Sequence, residues 1–443
     1  MVPLRSRFTN GLAGNIGGQG VLLAVQTLCQ IALVAVLTRL WSAAEFGTWL
    51  LVLASVAYLL LADLGTVLST GNAMAGDVGA GEERRAQARF AAMWRGVVGA
   101  SAAVALAATL AVLVVRPDLA IPAALLAGYA IATFATNGWM MGLRATGHFP
   151  RGAVLSAVGV AVETALAGGA AWAGYGLAGA LAGLVAGRAL TAVFLASELK
   201  RKAGWPVFGR ADGAVRWRDA LPPGLAILGI AIGGTLAVQG ALYAVGAAAG
   251  AAVVAAYGAS RTLARSGAQL SGVLVQGAMP ELSRARATGD TARKAELVAA
   301  TLVAMLVLLT LCWLAIAALG PWLVDLWTGG TIRVGHGFLA LLALAAAFHA
   351  LWMGVANLLT ASDDHRPFAI GLIVAMGPAL ALTWWWTERF GLVGAAAAGV
   401  VAEGAVLALA FIVAFRRGLL DRKAVRAAPR LAMTMLRRKF ARN

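Results

Sequence analysis

The chain has little of what a soluble protein needs. Only 12% of its residues are charged and 61% are hydrophobic, against roughly 25% and 45–50% in soluble domains. That shortage excludes a solvated surface along most of the length, and no stretch regains soluble composition. Cysteine occurs twice, as Cys29 and Cys312, both inside apolar runs. This excludes a disulfide framework and a thiolate metal site. The four histidines are scattered, so no zinc spacing exists. The sequence carries no Walker loop, GxSxG elbow or kinase signature, which leaves no nucleotide or hydrolytic machinery to recognise. Acidic residues are scarce as well: 19 Asp and Glu stand against 36 Lys and Arg, for a net charge of +17. The excess does not read as a nucleic-acid surface, because the charges sit between long apolar runs rather than on one polar face.

What is abundant is apolar length. About twenty apolar residues cross a hydrocarbon core as a helix. That ruler gives twelve spans, near 14–38, 46–75, 91–115, 119–142, 152–173, 176–198, 221–246, 249–279, 296–319, 336–359, 368–386 and 391–415. The first is too long for the apolar core of a signal peptide. Lys and Arg set the orientation. With the N-terminus inside, about 28 of the 36 basic residues fall in cytoplasmic segments, as the positive-inside rule requires. Outside loops then carry Arg39, Arg116, Arg333 and Arg389, and Arg95, Arg188, Arg261 and Arg265 lie within spans. The expectation is an inner-membrane, multi-pass protein with both termini cytoplasmic. Its outside loops are too short for a periplasmic domain.

A basic loop, Lys200–Asp219, falls near the middle of the chain. It suggests an N-terminal six-helix bundle over 1–205, a C-terminal one over 206–415, and a basic cytoplasmic tail over 416–443. The halves share motifs at nearly one offset. Tyr175-Gly-Leu-Ala-Gly-Ala180 matches Phe390-Gly-Leu-Val-Gly-Ala395, and Ala44-Glu-Phe-Gly-Thr48 aligns with Ala256-Tyr-Gly-Ala259. Leu143-Arg-Ala-Thr-Gly-His148 aligns with Leu359-Thr-Ala-Ser-Asp-Asp-His365. Six helices per half makes the repeats parallel, the plan of transporters that hold substrate between halves and alternate its access. The fold class expected is therefore an all-α integral membrane protein of about twelve helices in two pseudo-symmetric bundles.

A charge at membrane depth is costly, so it usually faces a cavity or a partner. Arg261 and Arg265 stand four apart, hence on one helix face. Guanidinium forks suit phosphate oxygens, so this pair marks a phosphate or diphosphate site; pairing with a buried carboxylate is the competing account. Arg188 and Glu403 occupy corresponding positions of the repeat, which raises an ion pair across the halves. Asp63 and Glu163 are candidates for coupling to a proton or sodium gradient, with structural polar contact as the alternative. His349 can titrate, though a lone His in an apolar span is more often a packing residue. Leu221-Pro-Pro-Gly224, with Gly229 and Gly233-Gly234 after it, opens a span that can bend. Trp384, Trp385 and Trp386 fit an interfacial aromatic belt.

Leu37-Thr-Arg-Leu-Trp-Ser-Ala-Ala-Glu-Phe-Gly47 and Asp63-Leu-Gly65, with Ala256-Tyr-Gly-Ala-Ser-Arg-Thr-Leu-Ala-Arg265 and Ala278-Met-Pro-Glu-Leu-Ser-Arg284, carry a family likeness. With them the chain resembles the bacterial O-antigen-type polysaccharide flippases of the multidrug/oligosaccharidyl-lipid/polysaccharide exporter (MOP) superfamily. The resemblance implies a fold similar to multidrug and toxin extrusion (MATE) exporters. It also implies export of an undecaprenyl-diphosphate-linked oligosaccharide for O-antigen, exopolysaccharide or capsule. By the same likeness Arg261 and Arg265 become cavity residues, with Arg39 near the outer mouth; Arg188 is a further cavity candidate from its position within a span. Asp63, Glu163, Glu403 and His349 remain for coupling or gating. No cofactor, metal or nucleic acid is implied. The partners implied are the lipid-linked oligosaccharide, membrane lipids and other assembly proteins such as a polymerase. The rival readings are a multidrug cation exporter of the same fold and, more remotely, a membrane-bound glycosyltransferase or polymerase.

Overall fold

The computed structural model describes residues 4–115, 119–209, 215–272, 274–275, 291–361 and 366–418. The Ala278–Arg284 motif, nearly all of the basic tail and residues 362–365 of the repeat lie outside the described residues. Among the described residues every regular element is helical. Ten segments are long and apolar enough to cross a membrane. The last of these, Pro367–Arg416, is two helices that meet at Gly391. Residues 251–264 and 266–272 add a further helical stretch, so the layout is that of a twelve-helix membrane protein. The backbone divides into two compact units, residues 1–235 and 236–443.

The first unit contains α1 (Leu4–Leu40), α2 (Ala43–Leu59), α3 (Thr66–Gly79), α4 (Glu83–Val115), α5 (Ala120–Ala145), α6 (Phe149–Trp172), α7 (Gly176–Ala203) and α8 (Leu221–Thr235). Helix α2 starts in a capping box. Ser42 Oγ accepts from the Glu45 amide at 3.3 Å, and the Glu45 carboxylate accepts from the Ser42 amide at 2.8 Å, which satisfies amides that a helix start leaves open. Two residues of the flippase-like motif thus have a local structural role.

The sequence suggested one long span over 46–75, and the structure breaks it. After a 3₁₀ turn at Leu60–Asp63, Leu64 and Gly65 take φ of 51° and 70°. Asp63 accepts the Gly65 amide at 2.9 Å and fixes that turn. Gly65 then lies directly against the Gly224 backbone, where a side chain on either would collide. Aromatic packing holds the rest of the unit. Phe90, Trp94, Trp139, Leu143 and Trp205 form its core. The Trp139 indole donates to the Val207 carbonyl (2.9 Å), Trp205 to Glu83 (2.8 Å) and Trp217 to Thr66 (3.2 Å). The segment that leads into α8 is thereby tied to α3, α4 and α5.

The second unit opens with a π turn, Leu236–Gly240, continued by α9 (Ala241–Ala249) and α10 (Ala251–Ala264). Then follow α11 (Thr291–Thr328), α12 (His336–Ala361) and α13 (Arg366–Arg416), which is interrupted at Gly391. Trp352, Phe368, Leu372, Met376 and Val406 centre its core. Gly176 and Gly391, the glycines of the repeated motif, take φ of 60° and 59°. Each sits where one helix gives way to the next, a conformation that glycine adopts without steric cost.

Candidate functional site: an arginine-bearing cavity

Tyr257 and Arg261 of α10 and Arg265, which caps its end, recur every fourth residue. That spacing puts them on one helix face. Opposite stand Ala345, Ala346 and His349 of α12, set three or four apart in the same way. Helix α13 supplies the remaining wall twice. Met376, Leu380 and Thr383 come from before the Gly391 break, and Gly399 and Glu403 from after it. These side chains line one common cavity.

Arg261 donates through Nη1 to the Val238 carbonyl of the π turn. A π turn widens the helix by one residue and disturbs the regular ladder, and here one of its carbonyls serves a side chain of α10. Arg265 lines the cavity and makes no side-chain hydrogen bond among the described residues. Glu403 is bound elsewhere: His349 Nδ1 is 3.0 Å from Oε1, and Trp352 donates its indole N–H to Oε2 at 2.5 Å. Among the described residues no ion pair joins Glu403 to either arginine. Among the described residues, then, the cavity wall holds two arginines and one carboxylate, and α12 engages that carboxylate.

The other sequence candidates are in the first unit. Glu163 on α6 and Arg188 on α7 pair at 2.8 Å, and both are largely buried. Tyr129 on α5 receives Arg188 Nη2 at 2.7 Å, with the guanidinium 5.1 Å over its ring. Glycines make this meeting possible. A Cβ on Gly183 would strike the Leu166 backbone and one on Gly187 the Glu163 backbone, so α6 and α7 pack with their main chains in near contact. The pair suggested between Arg188 and Glu403 is corrected accordingly. Each is engaged within its own unit, Arg188 by Glu163 and Glu403 by His349 and Trp352. Asp63 holds the turn after α2, and Arg39 donates to the Ala35 carbonyl of its own helix at 2.8 Å.

Of the eight candidates, Arg261, Arg265, His349 and Glu403 converge on one cavity. Sequence reasoning missed Tyr257 as a member of the cavity wall, Tyr129 as the partner of Arg188, and Trp352. The signals were present: Tyr257 is one turn before Arg261 and Trp352 three residues after His349.

The solved structures that this architecture resembles are membrane transporters. An inward-facing multidrug resistance MATE family transporter of the MOP superfamily matches with a TM-score of 0.69 at 15% identity, over 93% of this chain and 99% of that one. A MATE transporter from Vibrio cholerae matches at 0.66 and 13%, over 95% and 99%. A MOP superfamily transporter from Pyrococcus furiosus, described as having a binding pocket of reverse polarity that suggests a different function, matches at 0.66 and 15%, over 95% and 96%. No known protein-family profile and no curated protein sequence matches the chain. The chain folds as MATE transporters of the MOP superfamily do.

Proposed function

We propose that the chain is a flippase that moves an undecaprenyl-diphosphate-linked oligosaccharide from the cytoplasmic to the periplasmic leaflet of a bacterial inner membrane. The observation that carries this reading is the pair Arg261 and Arg265 in a cavity whose one carboxylate is held by His349 and Trp352. Two guanidinium groups on one helix face suit a diphosphate, whereas a cation would be repelled by them. The cavity holds a headgroup, and the polyprenyl tail stays in lipid. The Pyrococcus structure of the same fold gives precedent for a binding pocket whose reversed polarity suggests a different function. Work is supplied by an ion gradient or by removal of product outside. Surface polysaccharide follows from this reading as the end use, with both termini in the cytoplasm and a polymerase among the downstream partners.

The multidrug cation exporter reading has its own observation, since Glu403 lies in the same cavity and could serve a cationic drug. One experiment separates the two. The gene is deleted and replaced by wild type or by Arg261→Ala/Arg265→Ala, and surface polysaccharide and lipid-linked intermediates are measured. The flippase reading expects loss of surface polymer, with intermediate trapped on the cytoplasmic leaflet. Normal polymer with changed sensitivity to cationic drugs would replace it with the exporter.

A further inference from the structure

Glu403 shares a cavity with two arginines, yet its carboxylate is committed to α12. His349 and Trp352 are three residues apart, so they present their ring nitrogens from one helix face. His349 Nδ1 takes Oε1 at 3.0 Å and the Trp352 indole takes Oε2 at 2.5 Å. Trp352 is fully buried, with its ring 5.8 Å from Phe368 and 4.8 Å from His349. It is not among the residues that line the cavity. An indole N–H donates and cannot accept, so it can hold a carboxylate and can never hold an arginine. Without this hold, the strongest partner open to Glu403 in the cavity is a guanidinium, through charge-assisted and bidentate hydrogen bonds. That rearrangement would match one arginine with the carboxylate and remove much of the attraction for an anion.

We infer that Trp352, together with His349, is a positioning residue that keeps both arginines of the cavity available to an anion. By keeping Glu403 off Arg265 and Arg261 it preserves a site for a dianionic phosphate group. The choice of diphosphate as ligand rests on the flippase reading; the clamp itself rests on the geometry of α12 and Glu403. Trp352 touches no substrate and acts only through the carboxylate.

The test uses the full-length protein in lipid nanodiscs, with inorganic pyrophosphate as probe and calorimetry as readout. Wild type is compared with Trp352→Phe, Glu403→Gln and the double variant, and each is checked for thermal stability. Trp352→Phe is expected to weaken pyrophosphate binding about tenfold, the scale of one charge-assisted hydrogen bond. Glu403→Gln is expected to bind at least as tightly as wild type. The double variant is expected to bind like Glu403→Gln, because it has no charge to release although it carries the same packing defect as Trp352→Phe. If Trp352→Phe binds like wild type, or if the double variant stays as weak as the single, the clamp is wrong and the flippase reading stands. If wild type binds no pyrophosphate, the flippase reading fails and the clamp falls with it.

Discussion

Arg188 and Glu403 stand at the same place in the two halves of the repeat, with opposite charge, and the two units treat them differently. In the first unit the arginine finds a carboxylate. Glu163 and Tyr129 close around it, and the result is a compact neutral cluster. In the second unit the carboxylate finds the ring nitrogens of His349 and Trp352, and two arginines line the same cavity. A buried charge at membrane depth has two outlets: mutual cancellation, or a site that awaits a ligand. One molecule shows both. The neutral cluster reads as structure and the unbalanced one as function, although the sequence alone marks both as charges inside apolar spans.

Four measurements would break or sharpen that contrast. The largest effect is expected in the first unit. Glu163→Ala strands Arg188 in a buried setting and should cost about 3–5 kcal/mol of stability, whereas replacing both partners by apolar residues of similar size should be near neutral. Thermal unfolding in detergent reads both variants, and a stable Glu163→Ala protein would end the view of this pair as structural. In the second unit, Arg261→Ala/Arg265→Ala should leave stability nearly intact while lowering pyrophosphate affinity roughly 100-fold, the scale of removing two charge-assisted hydrogen bonds. Unchanged affinity would remove these arginines from the site.

A smaller effect tests how the closed cluster is assembled. Gly187→Ala places a methyl against the Glu163 backbone and should cost about 1–3 kcal/mol by overpacking, with anion binding in the second unit unaffected. A parallel loss of binding would show that the contrast between the clusters is drawn too sharply. The smallest is Asp63→Asn. The amide oxygen of asparagine can still accept the Gly65 amide, so the change should stay within about 0.5 kcal/mol of wild type. A clear transport defect in a stable Asp63→Asn protein would instead return Asp63 to a coupling role.

The layout of the fold was legible in the sequence because apolar length and the positions of basic clusters are one-dimensional properties. Tyr175-Gly176 and Phe390-Gly391 marked helix junctions correctly, since a left-handed glycine leaves a recognisable trace. The break after Leu59 was not foreseen. Residues 46–75 are apolar enough to read as one helix, and the turn depends on Asp63 reaching the Gly65 amide. In the site, Arg261 and Arg265 were identifiable from spacing on one helix. His349 and Glu403 were visible as charges without their pairing, because contact between α12 and α13 is a matter of helix rotation. In spans as uniformly apolar as these, periodicity leaves that rotation unset. Trp352 stayed hidden for a plainer reason: a tryptophan in a membrane helix attracts no attention until its indole is seen on a carboxylate.

The π turn at Leu236–Gly240 changes which edits the protein can tolerate. A π turn amounts to one residue more than an α-helical path needs, so its opposite is a deletion rather than a substitution. Removing one residue from this stretch would return the segment to regular α-helical register. The flanking stretches would keep their faces, because the wide turn had absorbed the extra residue, but the carbonyls it frees would rejoin the helix ladder. The Val238 carbonyl would then point elsewhere and Arg261 would lose its acceptor, while every cavity side chain kept its identity. Related chains that differ in length by one at this position would therefore carry the same arginines without the same site, and an alignment that counts only matching letters would pass over the difference.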